Sequence, residues 1–377
     1  MKVGVPTEIK TDEYRVAITP SGVRELSQHG HEIVIQHGAG EGSAISDGDY
    51  EAQGARIVPD ADAVFAEADM VVKVKEPQAV EIARLREGQT LFTYLHLAPD
   101  PEQTQGLVQS GATCIAYETV EDRQGRLPLL APMSEIAGKI ATQAGAFMLE
   151  KPLGGRGLLL GGVPGVAAGK VMVIGGGVVG QNAAQVALGM GAEVYLYDRN
   201  IDRLRELEHQ MNWLASTCFA STLEIEQRLG DVDLVIGAVL VKGGKAPHVI
   251  TREQLGLMKP GAVLVDVSID QGGCFETSRA TTHTDPTYEV DGIIHYCVAN
   301  MPGAVPITST WALTNATMPY VLKIADQGVH AALASDPGFL RGLNVAAGKL
   351  TYEPVAQDQD REYTSPEDAL ALVPAAG

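Results

Sequence analysis

Gly175, Gly177 and Gly180 follow the apolar run Val171–Ile174 in the spacing Gly-x-Gly-x-x-Gly, and Asp198 lies 18 residues beyond the third glycine. The pattern reads as a strand, a glycine turn, a helix and a second strand ending in a carboxylate. Gly175 allows the tight turn, Gly177 lets backbone amides approach a pyrophosphate, and Gly180 lets the helix pack closely on the sheet. The helix N-terminus adds unsatisfied N–H groups and a partial positive charge. Asp198 is placed to accept both ribose hydroxyl hydrogens and to disfavour an extra phosphate there, which selects NAD over NADP.

A second set of reactive side chains has no such motif. Glu8, Lys75, His96 and Glu118 each stand just past a short apolar run, and Arg15 follows Glu8 in the same loop. In an open parallel sheet, ligands gather beyond the carboxyl ends of strands. Taken singly these are ordinary surface residues, and His96 could simply cap a helix; their shared position is what makes them a group. Further on, Asp270 also lies beyond a strand end, in Asp266-Val-Ser-Ile-Asp270-Gln-Gly-Gly-Cys-Phe-Glu276. Asn300 and Met301 follow the run Ile293–Val298. Met301 is either core filler or a nicotinamide contact.

These residues need two sheets to hold them. The chain has 377 residues, more than one ordinary core supports. Strands are expected at Lys2–Pro6, His31–Gln36, Met70–Val74, Leu91–His96 and Thr113–Tyr117, with helices at Pro20–His29, Asp47–Gln53, Ala79–Leu85 and Pro101–Gln109. Ser134–Leu149 reads as a connecting helix. The nucleotide-binding part then continues through Asp233–Val239, Ala262–Val267 and Ile293–Val298. Thr308–Ala334 turns helical and is expected to return to the first domain. The fold class is therefore α/β, with two Rossmann-like parallel-sheet domains and a cleft between them. Residues 1–130 and 306–377 would form a discontinuous substrate domain around an NAD-binding domain at 131–305. The end of the chain past Leu350 reads as a mobile end or a surface strap.

Composition narrows the partners. The sequence is 45% hydrophobic and 20% charged with a formal charge of −19, which argues against nucleic acid or anionic lipid. Cys114, Cys218, Cys274 and Cys297 show no Cys-x-x-Cys pairing, so neither a disulfide scaffold nor a structural zinc site is expected. The start of the chain does not read as a signal segment, and no apolar stretch is long enough to span a membrane. The expected location is cytoplasmic. The histidines and acids form no compact ligand motif in sequence, so no metal is expected.

The sequence closely resembles the alanine dehydrogenase family, and does so on both sides of the expected cleft. The matching pieces in the first domain are Glu8-Ile-Lys-x-x-Glu-Tyr-Arg15-Val-Ala-x-Thr-Pro20, Val72-Lys-Val-Lys75-Glu-Pro77 and Thr93-Tyr94-Leu-His96-Leu-Ala98. Others are Ala131-Pro-Met-Ser134-Glu-x-Ala-Gly138, Gly161-Gly-Val-Pro-Gly165, Ile269-Asp270-Gln-Gly-Gly-Cys-Phe-Glu276, His295-Tyr-Cys-Val-Ala-Asn-Met-Pro302 and Leu313-Thr-Asn-Ala-Thr-Met-Pro-Tyr320. The likeness covers residues 1 to about 353 and fades in the tail.

This resemblance implies an NAD-dependent enzyme, usually a homo-hexamer, that interconverts L-alanine with pyruvate and ammonium. By the family pattern Arg15 and Lys75 hold the substrate carboxylate, His96 is the principal acid/base, and Asp270 assists proton movements around the amino group. Glu8, Tyr94 and Asn300 look like supports of the substrate pocket. Ser134, Gly175, Gly177, Val178, Gly180, Asp198, Arg203, Ala220, Val239, Val298 and Met301 match cofactor positions. One departure follows Cys218, where relatives often present a serine to the adenosine side. This chain reads Phe219-Ala220-Ser221, so either that contact is lost or Ser221 replaces it.

The implied chemistry explains the residue types. A cationic pair fixes the carboxylate, with Arg15 as a planar fork and Lys75 as a point charge. After hydride loss from Cα, water adds to the iminium. An imidazole, with an ordinary pKa of about 6.5, can exchange protons with the resulting oxygen. The group that deprotonates the alanine ammonium is left open. A dehydrogenase for another amino or 2-hydroxy acid is the nearest rival. A noncatalytic nucleotide-binding subunit of the related transhydrogenase, or a ligand-responsive structural protein, is the rival from another class.

Overall fold

Residues Met1–Met133 and Gly303–Gly377 form one unit and Ser134–Pro302 a second. The computed structural model describes residues 1–239 and 246–374. In chain order its strands are β1 (Lys2–Val5), β2 (Glu32–Gln36), β3 (Arg56–Val58), β4 (Met70–Val72), β5 (Thr90–Thr93) and β6 (Thr113–Ala116). There follow β7 (Lys170–Ile174), β8 (Glu193–Asp198), β9 (Ser216–Phe219), β10 (Leu234–Gly237), β11 (Val263–Asp266), β12 (Thr287–Val290), β13 (Ile293–Tyr296), β14 (Leu343–Ala346) and β15 (Lys349–Leu350).

The first unit holds the sheet β15-β14-β6-β5-β4-β1-β2-β3 and the second holds β12-β13-β11-β10-β7-β8-β9. Read from β3 and from β9, each contains six parallel strands in the order 3-2-1-4-5-6. Their topological switch points fall between β1 and β4 and between β7 and β10. Both sheets are mostly parallel, as the sequence predicts, and only β12, β14 and β15 pair antiparallel, toward the edges. An edge strand needs no crossover helix, so a tight hairpin serves β12–β13 and β14–β15.

Alternate residues of the second sheet feed two cores. Val171, Val173, Val194, Leu196, Leu234, Ile236, Val263 and Val265 pack on one face, while Met172, Ile174, Tyr195, Tyr197, Val235 and Leu264 pack on the other. Near-continuous apolar runs are what a strand covered on both faces requires. Each such side chain contributes about 1.5–3 kcal/mol when fully buried. The helix Ala131–Met148 packs against the helix Val178–Gly189 so closely that a Cβ at Gly138 would lie 2.2 Å from the Val179 carbonyl oxygen.

Two strands stop earlier than their apolar patterns suggest, and for the same reason. The expected Met70–Val74 ends at Val72, because the Glu8 carboxylate accepts the Val74 N–H at 2.7 Å and the Lys75 N–H at 3.4 Å. The expected Leu91–His96 ends at Thr93, where the Glu118 carboxylate takes the Leu95 N–H at 3.1 Å and the His96 N–H at 2.6 Å. Side-chain acceptors compete with the backbone ladder and turn the chain away from the sheet.

The helix Pro306–Gln327 belongs to the first unit. The final segment is a strap: Val355, Ala356, Ala369 and Leu370 are buried, and the Gln359 amide donates to the Leu97 carbonyl at 2.7 Å. No helix among the described residues is long and apolar enough to cross a membrane.

Candidate active site

In the first unit, four ionisable side chains collect at the carboxyl ends of four adjacent strands. Glu8 follows β1, Lys75 follows β4, His96 follows β5 and Glu118 follows β6. The strand order brings them together; their sequence positions do not.

Beneath this edge lies a buried ion cluster. Lys73 is fully buried, with its ammonium 3.0 Å from Glu8 and 2.7 Å from Glu81. Burial opposes the Lys73 charge, but the two carboxylates prevail and hold its pKa above the ordinary value. Burial pushes the Glu8 carboxyl upward, partly offset by Lys73 and the Val74 N–H. Glu8 is thus spent on holding the chain that presents Lys75, which is 8% exposed.

Arg15 is 2% exposed and its guanidinium is gripped edge-on by Glu13, at 2.6 Å from Nε and 2.5 Å from Nη2. Its Nη1 faces the Met133 sulfur at 3.0 Å. Burial disfavours the Arg15 charge, and the Glu13 pair outweighs it, raising the pKa. A bidentate pair fixes the guanidinium plane as well as its charge. Glu13 and Lys73 were not singled out in the sequence; their signal was two further charges inside otherwise apolar or motif-bearing runs.

His96 has φ 48°, a left-handed backbone that costs a non-glycine residue energy and persists only where surroundings impose it. Glu118 supplies that constraint from one side, and the Gln103 amide, donating to the Leu95 carbonyl at 2.7 Å, from the other. The imidazole stacks on Tyr94 at 5.6 Å between ring centres and 7° between planes, and the Tyr94 hydroxyl donates to the Leu129 carbonyl at 2.6 Å. The histidine side chain stays 39% exposed, with Nδ1 3.9 Å from Glu118. Burial raises the Glu76 carboxyl, but Lys75, His96 and Lys10 more than reverse this and leave it at about 2.

In the second unit, backbone takes the place of charged side chains. Gly175 has φ 106°, and a Cβ there would lie 2.4 Å from the Ala238 carbonyl oxygen. At Gly180 a Cβ would fall 1.7 Å from the Gly175 oxygen, so the helix start presses on the turn. Gly177, by contrast, would meet nothing within 4 Å. That open space lies where the helix Val178–Gly189 presents its first N–H groups, so the turn fits a phosphate.

Asp198, ending β8, accepts the Gly176 N–H at 2.7 Å and the Asn200 N–H at 2.8 Å. Arg203 donates to the Gly176 carbonyl at 2.7 Å and to the Gln181 side chain at 2.6 Å, bracing the turn. Val178 is 41% exposed beside them. Ala220 donates its N–H to the Asp198 carbonyl at 3.0 Å. Ser221 caps the helix Thr222–Leu229, accepting the Glu224 N–H at 3.2 Å, so its hydroxyl already has a structural task. Val239 lies half-buried past β10, its carbonyl accepting the Ser268 hydroxyl at 2.8 Å.

Asp270 is exposed in the turn Val267–Gln271, whose shape depends on Asp266. That fully buried carboxylate accepts the Ser268 N–H at 2.9 Å, the Cys274 N–H at 2.8 Å and the Ser278 hydroxyl. Asn300 has φ 58°, and its carbonyl lies 3.3 Å from His283 Nε2. Val298 and Met301 are buried in the core, so their side chains serve packing there. Ser134 is half-buried near the start of the helix Ala131–Met148.

The arrangement offers two buried cations, Arg15 and Lys75, and an exposed, braced imidazole in one unit, and an open glycine turn beside an acid at the end of β8 in the other. Comparison with known proteins gives these features a family. The N-terminal domain of the alanine dehydrogenase/PNT family matches residues 4–137 and the C-terminal domain matches residues 141–353. The alanine dehydrogenase of Halomonas elongata is 59% identical over 99% of this chain and 100% of its own length. A solved L-alanine dehydrogenase superimposes with a TM-score of 0.92 at 50% identity, covering 95% of this chain and 99% of the other. A transhydrogenase from Sinorhizobium meliloti follows at a TM-score of 0.78 and 25% identity, covering 93% and 98%. With both domains matched and the likeness running nearly end to end, the chain belongs to the alanine dehydrogenase/PNT family.

Proposed function

We propose that this protein catalyses the reversible NAD-dependent oxidative deamination of L-alanine to pyruvate and ammonium. The observation that carries the reading is the braced His96 on the same sheet edge as Lys75, with Arg15 buried in the same unit, in a chain so like named alanine dehydrogenases. A noncatalytic nucleotide-binding subunit would have no use for it.

In this reading Arg15 and Lys75 bind the substrate carboxylate. Glu13 keeps the Arg15 fork in one plane, and Glu8 and Lys73 keep the Lys75 backbone in place. Fixing a small substrate this way contributes through orientation, where effective molarity is worth up to roughly 7–11 kcal/mol. His96 takes and returns the proton on the oxygen of the carbinolamine, and Asp270 stabilises the positive nitrogen. Gly175, Gly177 and Gly180, with the first N–H groups of the helix Val178–Gly189, would hold the pyrophosphate. Asp198 would hold the adenosine ribose, while Arg203 keeps the turn in shape. NAD, when bound, supplies the hydride acceptor. Ser134, Asn300, Val239, Ala220, Val298 and Met301 complete the proposed surroundings of substrate and cofactor.

The test is NADH formation from alanine and NAD, and its loss with pyruvate, ammonium and NADH. Ammonium-dependent turnover is expected. NAD(H) binding without turnover on alanine, glycine, serine or lactate would overturn the assignment in favour of a nucleotide-binding subunit. We include in the proposal a homo-hexamer, checked by sedimentation, and a cytoplasmic location, which suits four free cysteines.

A further inference from the structure

Away from these residues, His29, His31 and Asp326 bring one ligand atom each to within 4.8 Å of one another. His29 Nδ1 lies 3.0 Å from one Asp326 oxygen, and His31 Nε2 lies 2.8 Å from the other. We propose that this trio is a binding site for a divalent transition-metal ion of the zinc class, which joins the start of the first unit to its returning helix.

The backbone holds all three positions firmly. His29 terminates the helix Pro20–Gln28, Gly30 turns the chain at φ 82°, and His31 leads directly into β2. The His31 N–H donates to the Leu26 carbonyl at 3.0 Å, closing the turn. Asp326 stands in the last turn of the helix Pro306–Gln327. The two helices approach closely, since a Cβ at Gly22 would lie 2.8 Å from the Met318 sulfur.

The donor set selects the ion. Two imidazoles and one carboxylate suit zinc, with bonds of about 2.0–2.2 Å and hence ligand atoms roughly 3.3–3.6 Å apart in a tetrahedron. The two nitrogen-to-carboxylate spacings, 3.0 and 2.8 Å, need to open by about 0.3–0.8 Å to reach it. Magnesium and calcium prefer sites built wholly of oxygen. The side chains of His29 and Asp326 are 44% and 37% exposed, which leaves a face for water to complete the coordination. On binding, the ion takes the lone pairs of the two ring nitrogens, and any proton these nitrogens carry passes to solvent.

The ligands are far apart in sequence, so the ion would tie the returning helix to the N-terminal helix and stabilise the folded chain. The proposal is independent of the enzymatic reading, because neither helix end carries a residue assigned to substrate or NAD.

The experiment is calorimetric titration of Zn2+ into the tag-free, EDTA-treated full-length protein, with Mg2+ as control. One Zn2+ per chain at micromolar affinity or tighter, no Mg2+ binding, and a Zn2+-dependent rise in melting temperature are expected. His29→Gln, at an exposed position, and Asp326→Asn should each weaken binding by roughly 100-fold, at least the upper range for loss of a supporting contact. Absence of Zn2+ binding would leave a hydrogen-bonded trio only and overturn the proposal. So would binding unchanged in His29→Gln, whose fold is checked by circular dichroism; the ion would then sit elsewhere, for instance on Cys218.

Discussion

The first strand of each unit leads into a different kind of connection. After β7 the chain spends only Gly175, Gly176 and Gly177 before the helix Val178–Gly189 begins. After β1 it runs from Pro6 to Thr19 before the helix Pro20–Gln28, and that loop carries Glu8, Glu13 and Arg15. Both strands sit at the switch point of a sheet with the same strand order. In the second unit a tight turn brings the first backbone N–H groups of the helix to the switch point. In the first, a longer loop returns charged side chains to the corresponding place. In the proposed reading, one topology serves a dinucleotide through the backbone and a small anion through side chains.

That contrast is open to attack from either side. The largest effect should come from His96→Ala, which removes the exposed imidazole and is expected to lower alanine turnover by roughly 100- to 10,000-fold, the usual worth of general acid–base catalysis. NADH binding, followed by fluorescence, should change little, because the phosphate turn belongs to the other unit. Equal loss of both would mean that the units do not divide the work.

Lys73→Met should cost about 3–5 kcal/mol of stability in chemical denaturation, since it leaves Glu8 and Glu81 buried without their cation. A glycine pair then probes the backbone half. Gly180→Ala should cost about 3 kcal/mol or more, as its Cβ would overlap the Gly175 oxygen. Gly177→Ala should leave the melting temperature unchanged yet weaken NAD binding, because its Cβ enters open space. If Gly177→Ala bound NAD normally, that space would not be where the pyrophosphate lies.

Asp198→Ala should weaken NAD binding by about tenfold, the loss of a hydrogen bond to a charged group, and narrow the preference over NADP. Binding titrations with both nucleotides check it. The smallest effect is assigned to Ser221→Ala: about 1 kcal/mol of stability for a lost helix cap, with NAD affinity unchanged. A matching loss of affinity would show that Ser221 serves the cofactor despite its capping role.

How much could be read beforehand differs between the two halves. The glycine turn, its helix and the acid at the end of β8 were legible because each is local, built from neighbours within one strand-turn-helix-strand unit. In the first unit, the strands were legible as apolar runs, but their ends were misplaced wherever Glu8 or Glu118 captured the next N–H groups. No periodicity announces such an acceptor arriving from another strand. The short edge strand β3 and the helix Thr222–Leu229 were also passed over, having too few residues to establish a pattern.

The sequence by itself determined the α/β class and the glycine turn with its helix, because these depend on residue type, alternation and short spacing. Only the tertiary structure decided which charges meet. It set Lys73 between Glu8 and Glu81, turned the Arg15 fork onto Glu13, held His96 in a left-handed backbone, and carried Asp326 to His29 and His31. The physical reason is that strand order and the returning helix fix long-range proximity, and an ion pair or metal site depends on distance in space.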